Sequence, residues 1–198
     1  MLHPFEKITP HMFRLRVVLF AVAALLLGYA LVRLAEPFAS QQNEAGARYG
    51  ILSFEFAATA ARAERILETW GHAGVRAAQV HIWLDYAFLL AYSTAFAAGC
   101  VWALRRFARH RGPETKAVLL GRLLAFAMWG AGLCDALENA ALLRMLYAGV
   151  EPAYPAIAFV CAAVKFILLG AGTAYIAAGI FAPWFQVPVL PTTKVSSG

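Results

Sequence analysis

The chain has 198 residues, about one domain's length. Apolar residues make up 62% of it and charged ones only 14%, against roughly 45–50% and about 25% in soluble domains. That balance excludes a disordered chain and an ordinary water-soluble enzyme; the formal charge of +6 sits in two short stretches, which speaks against a nucleic-acid-binding domain.

The apolar residues fall into four blocks, each near the roughly 20 residues that cross a bilayer. The first runs from about 12 to 34, behind Lys7, Arg14 and Arg16. The stretch that follows has Phe38, Pro37 and Arg33 at the −3 positions of the plausible cuts, so a retained anchor is expected rather than a cleaved leader. Residues 37–50 read as irregular. From about 51 to 70, Leu52, Phe56, Ala63, Ile66, Leu67 and Trp70 form one helical stripe opposite a face of mixed charge. This predicts an amphipathic helix capping the outer end of a bundle, with a break at Gly71 to Gly74. Glu55 reads as a solvated or capping residue.

The second block, 80–104, ends in a basic connection holding Arg105, Arg106, Arg109, Arg111, Lys116 and Arg122. Pro113 suits the start of the next helix. The third block covers 117–147, and a Gly149–Pro152 link leads to the fourth, 153–184; residues 186–198 read as a flexible tail. Residues 1–185 thus form one transmembrane domain. Lys/Arg counting places the start and the 105–122 connection in the cytoplasm. The expected location is the inner (plasma) membrane, multi-pass, with both termini cytoplasmic. The basic residues also suit anionic lipid headgroups. Aromatic residues at block ends (Trp83, Trp102, Tyr147, Tyr154, Trp184, Phe185) fit interfacial belts.

Cys100, Cys134 and Cys161 lie inside apolar blocks without a CxxC, so they read as small packing residues. The five histidines show no metal-ligand spacing, and no cofactor or metal is expected. Gly130, Ala131 and Gly132, and Gly170, Gly172 and Ala174, permit close helix approach.

Charge at membrane depth is rare and generally faces the bundle interior. The second block carries Asp85; the third Asp135, Glu138 and Asn139; the fourth Lys165. Residues three and four apart are helical neighbours, so 135, 138, 139 and 142 share one face. His81, Asp85 and Tyr92 share another, and Cys161, Lys165, Leu168, Gly172 and Tyr175 a third. At about 1.5 Å of rise per residue, Asp135 and Lys165 reach matching depths on antiparallel neighbours, which predicts a pair. Three carboxyls then face one ammonium. Protons, water or a cationic ligand must make up the difference in a region where each ion costs about 2.5–3.5 kcal/mol.

Three roles remain open for the cluster Asp85, Tyr92, Asp135, Glu138, Asn139 and Lys165: a structural clamp first, then a ligand or catalytic site, then a proton or ion path. The near-absence of polar side chains in the inner halves of helices two to four argues against the last.

The motifs LDYAFLLAY and CDALENAALLRML, with FEFAATAARAERILETWG upstream, resemble a family of uncharacterised bacterial four-helix membrane proteins over Ser53 to Tyr175. That family implies a fold but no activity. In layout alone the chain is similar to EXPERA-domain proteins, four-helix membrane proteins with a structured outer segment and intramembrane carboxylates. This likeness implies a lipid-accessible cavity in which Asp85, Asp135 and Glu138 face a cation; Lys165 departs from it by neutralising one acid.

The expectation is an all-α four-helix membrane bundle binding a lipid, a hydrophobic or cationic amphipathic ligand, or a membrane partner, a second copy included. The rival is an intramembrane acid–base enzyme acting on a lipid or sterol-like substrate, with Glu138 or Asp85 as the acid. A cavity beside the carboxyls discriminates between a filled clamp and a site.

Overall fold

The computed structural model describes residues 2–181. Its elements are a 3₁₀ turn (Pro4–Lys7) and five helices: α1 (Pro10–Ala39), α2 (Ile51–Glu55), α3 (Ala60–Arg111), α4 (Lys116–Ala148) and α5 (Ala153–Phe181). The chain is all-α. Helices α1, α3, α4 and α5 are each long and apolar enough to cross a membrane, and the protein is a multi-pass membrane bundle. The expectations for Trp184, Phe185 and the 186–198 tail fall outside the described residues.

Three boundaries differ from the sequence reading. Helix α1 runs on through Pro37 to Ala39, and Ser40 caps the end by donating to the Glu36 carbonyl at 2.7 Å. The amphipathic stretch is not one helix. It breaks over residues 56–59, where Ala58 takes φ of 61° and Thr59 caps α3, its hydroxyl accepting from the Arg62 amide at 3.4 Å. The break turns Phe56 toward α5, where its ring stacks on Phe166 at 5.8 Å and meets Phe159 edge-on. It also resets the register. Phe54 and Ala57 are buried with Ala63, Ile66 and Trp70, while Leu52 is exposed. Aromatic packing on a distant helix overrides a periodicity that looked continuous.

Gly71 does not separate cap from span either. It takes φ 59°, ψ −177°, and the helix continues on both sides of it. At about 1.5 Å per residue the 52 residues of α3 extend far beyond a bilayer core of roughly 30 Å. Cap and second span are therefore one kinked rod.

Helix α3 is the centre of the bundle, packed against α1 on one side and against α4 and α5 on the other. Two cores result. One gathers Phe38, Phe54, Ile66, Trp70, Ile82 and Leu142 at the cap end, and the Trp70 indole donates to the Tyr49 carbonyl at 2.7 Å. The other gathers Phe5, Phe13, Val101, Phe107, Met128 and Tyr175 at the opposite end. There α3, α4 and α5 approach closely: Gly172 faces Met128, and Gly179 leaves no room for a methyl group beside Ala103. Gly130 and Gly170, by contrast, face open space.

The 3₁₀ turn is fastened at this second end. Arg122 grips Glu6 with two bonds of 2.8 and 2.9 Å. Arg105 donates to the carbonyls of Phe5 and Ile8 and lies over the Phe13 ring at 4.2 Å. His3 is buried between Phe126 and Trp129; burial lowers its pKa, and the bond to Arg122 holds Glu6 below the usual carboxylate range.

Candidate functional site

The polar side chains of α3, α4 and α5 meet between the two cores. Lys165 is the hub. Its Nζ lies 2.8 Å from Asp135 Oδ1, 2.8 Å from Glu138 Oε2 and 3.7 Å from Glu55 Oε2. Asp135 and Glu138 stand one turn apart on α4, so both reach the same ammonium. Tyr92 of α3 donates to Asp135 Oδ2 at 2.7 Å. Asn139 donates to Asp85 Oδ2 at 2.7 Å. All six residues expected to cluster are thus brought together, in two linked groups.

The membership of those groups corrects the sequence reading. Glu55, expected as a solvated or capping residue, is buried and faces Lys165. Its helix, α2, folds down beside α5 instead of standing out as the start of a longer cap helix, and burial pushes its carboxyl above the usual range against the pull of Lys165. Asp85, expected to share the ammonium, makes no ion pair among the described residues. The three carboxylates around Lys165 are therefore Glu55, Asp135 and Glu138. Counting Asp85, four acids face one amine. The FEFA motif carried no charge pairing that could have flagged Glu55, because its partner lies 110 positions away.

Beside this cluster is a cavity of about 600 Å³. Its walls come from α1 (Gly28, Leu31, Val32, Ala35), α2 (Ile51, Leu52, Glu55), α3 (His81, Ile82, Asp85, Phe88, Tyr92, Phe96), α4 (Asp135, Asn139) and α5 (Lys165, Phe166, Leu169). Most of that surface is apolar, and the polar groups converge at one place, the usual composition of a small-molecule site. Glu138 is wholly buried and does not border it.

The mouth is defined by the lining residues that are most exposed. Val32 of α1 is 68% exposed and Phe166 of α5 43%, with Leu52 of α2 above them. Val32 and Phe166 both belong to spanning helices, and Phe166 adjoins Lys165. The exposed lining residues thus come from α1, α2 and α5.

Chemically the ion cluster is under-satisfied: Glu55 Oε2 and both Glu138 carboxyl oxygens are buried without a hydrogen-bond partner among the described residues. Lys165 lies within ion-pair distance of three acids and donates a hydrogen bond to Asp135. Asp85 keeps one carboxylate oxygen without a partner among the described residues, and that residue lines the cavity. No protein-family model, curated protein or solved structure matches this chain. The side chains themselves are what a functional reading rests on.

Proposed function

We propose that this is an inner-membrane protein, with both termini cytoplasmic, that binds an amphipathic ligand admitted sideways from the bilayer. The observation behind this reading is the cavity of about 600 Å³, whose lining includes the exposed Val32 of α1 and Phe166 of α5, both on helices apolar and long enough to span. A purely structural clamp would fill that space with side chains, since protein interiors are close-packed. An apolar ligand body fits against Leu31, Ile82, Phe88, Phe96 and Leu169, with its polar end toward Asp85 and Asn139. The Asp135–Lys165 contact keeps its clamping role, holding α4 against α5 so that the cavity floor is rigid. The orientation follows from the basic residues grouped at the end of the bundle away from α2. The resemblance to bacterial four-helix membrane proteins accords with this placement.

The test is binding of a fluorescent fatty alcohol to the protein in lipid nanodiscs. Val32→Trp, at the mouth, is expected to weaken binding about tenfold, the effect of roughly 1.4 kcal/mol. Undiminished binding would exclude the cavity as the site. Reporter fusions at the two ends check the orientation.

One observation favours a second reading, an intramembrane acid–base enzyme. Asp85 has open space beside it, as a proton-transferring group requires. Glu138 has none and drops out of that role. Turnover of bilayer lipids that disappears in Asp85→Asn, followed by mass spectrometry, would favour catalysis over binding.

A further inference from the structure

The end of the bundle opposite α2 carries a second concavity, a groove of about 430 Å³ between the 3₁₀ turn, the start of α1 and the last turns of α3. Ile8, Pro10, Leu104 and Ala108 give it apolar walls, and Arg105 and Arg109 border it one helical turn apart on α3. The one acid bordering it among the described residues is Glu6, and Arg122 takes both of its carboxylate oxygens at 2.8 and 2.9 Å. The groove therefore holds two positive charges that its own walls do not neutralise.

The two arginines differ. Arg105 is pinned: Nη2 donates to the carbonyls of Phe5 and Ile8 at 2.8 and 3.1 Å, and the guanidinium lies over the Phe13 ring at 4.2 Å. Its Nε and Nη1 make no hydrogen bond among the described residues, and neither is buried. Arg109 is exposed and makes no ion pair among the described residues. A fixed guanidinium with donors to spare and a free one a turn away suit the oxygens of a phosphate, which arginine binds through its planar fork. A solvated arginine near a helix C-terminus is common in itself. Here it shares an apolar groove with a second guanidinium that is already held in place.

The depth of the groove says which phosphate fits. Helix α1 has 30 residues, about 45 Å, close to the thickness of a bilayer with its headgroup regions. Pro10, its first residue, thus stands at headgroup level, and the groove with it. Apolar walls there suit the glycerol and the first acyl carbons of a lipid, while the arginines meet its phosphate. A choline head would bring a cation of its own against Arg109, and a glycerol head brings none.

We infer that this groove is a site for one anionic phospholipid, its phosphodiester held between Arg105 and Arg109. Basic pockets between spanning helices are where such headgroups bind. The site is separate from the proposed ligand cavity and does not rest on it.

The experiment takes the full chain in dodecyl maltoside, titrated with phosphatidylglycerol, phosphatidylcholine of the same acyl chains, and glycerol 3-phosphate, and counts bound molecules by native mass spectrometry. One phosphatidylglycerol should bind about fivefold more tightly than phosphatidylcholine, and Arg109→Gln should remove that advantage, the usual worth of one basic residue beside anionic lipid. Thermal stability should not change in Arg109→Gln, since no ion pair is lost. Arg16→Gln and Lys116→Gln take a charge from the same end outside the groove and should leave the preference intact. Equal binding of the two lipids, or no effect of Arg109→Gln, overturns the site. Equal losses in all three variants overturn it too, by reducing the attraction to diffuse charge. Displacement of the lipid by equimolar glycerol 3-phosphate would mean a soluble phosphate is the ligand and would overturn the lipid. Val32→Trp, in the other cavity, should leave phosphatidylglycerol in place; its loss there would put the lipid in that cavity and overturn this assignment alone.

Discussion

At the scale of single residues, the decisive asymmetry is between Lys165 and its acids. Removing Asp135 leaves Lys165 with Glu138 at 2.8 Å, whereas removing Lys165 strands three buried carboxylates. Breaking a buried ion pair typically costs about 3–5 kcal/mol. Lys165→Ala is therefore expected to lower thermal stability by at least that much, and more than Asp135→Ala does. The double variant should cost less than the sum, and additive losses in thermal unfolding would refute the coupling. Much of this cluster was legible in the sequence. Helical phase put Asp135, Glu138 and Asn139 on one face, and depth matched Asp135 to Lys165. Glu55 was not legible, because it enters through a chain reversal that no periodicity announces, and Asp85, counted among the acids facing Lys165, makes no ion pair with it. Phase tells which way a side chain points, but not which of several neighbours it meets.

At the scale of elements, the segment around α2 and the start of α3 carries backbone conformations that sequence patterning misjudged. Ala58 holds a left-handed φ of 61°, which costs an L residue roughly 1–2 kcal/mol. Ala58→Gly should accordingly raise stability by about 1 kcal/mol in a denaturant titration, and a loss would mean that its methyl group has packing value. Gly71, at φ 59° and ψ −177°, occupies a region essentially restricted to glycine. Gly71→Ala is expected to destabilise by about 1–3 kcal/mol, with no steric contribution, since nothing lies within 4 Å of the added methyl. The helix count and the four spans were readable from apolar block length. The joining of cap and second span was not, because a glycine that reads as a stop also serves as a kink.

At the scale of the whole molecule, the two ends are held by different forces. The α2 end rests on aromatic packing around Trp70, and the other adds to its own apolar core the charged clasp of Glu6, Arg122 and Arg105. Glu6 has its folded-state pKa lowered by Arg122. Its contribution is therefore present above the ordinary carboxylate range and is lost as pH falls through the lowered value. Glu6→Gln should destabilise the protein at neutral pH, and the gap to the wild type should shrink as the medium is acidified. A gap that stays constant with pH would mean that the clasp acts through packing rather than charge. Its sequence signal was weak: basic residues in a cytoplasmic connection read first as orientation, and nothing local tied Arg122 to a glutamate 116 positions earlier.

That separation has a consequence for biogenesis. The first span leaves the ribosome long before its clasp can close, because both arginines belong to later helices. Until the second span is inserted, α1 has neither Arg105 nor the α3 face it packs on, and the Glu6–Arg122 bonds wait for the third. The apolar outer surface of α1 suits it to that interval. A chain released early would keep this helix in the bilayer with its N-terminal hook unfastened.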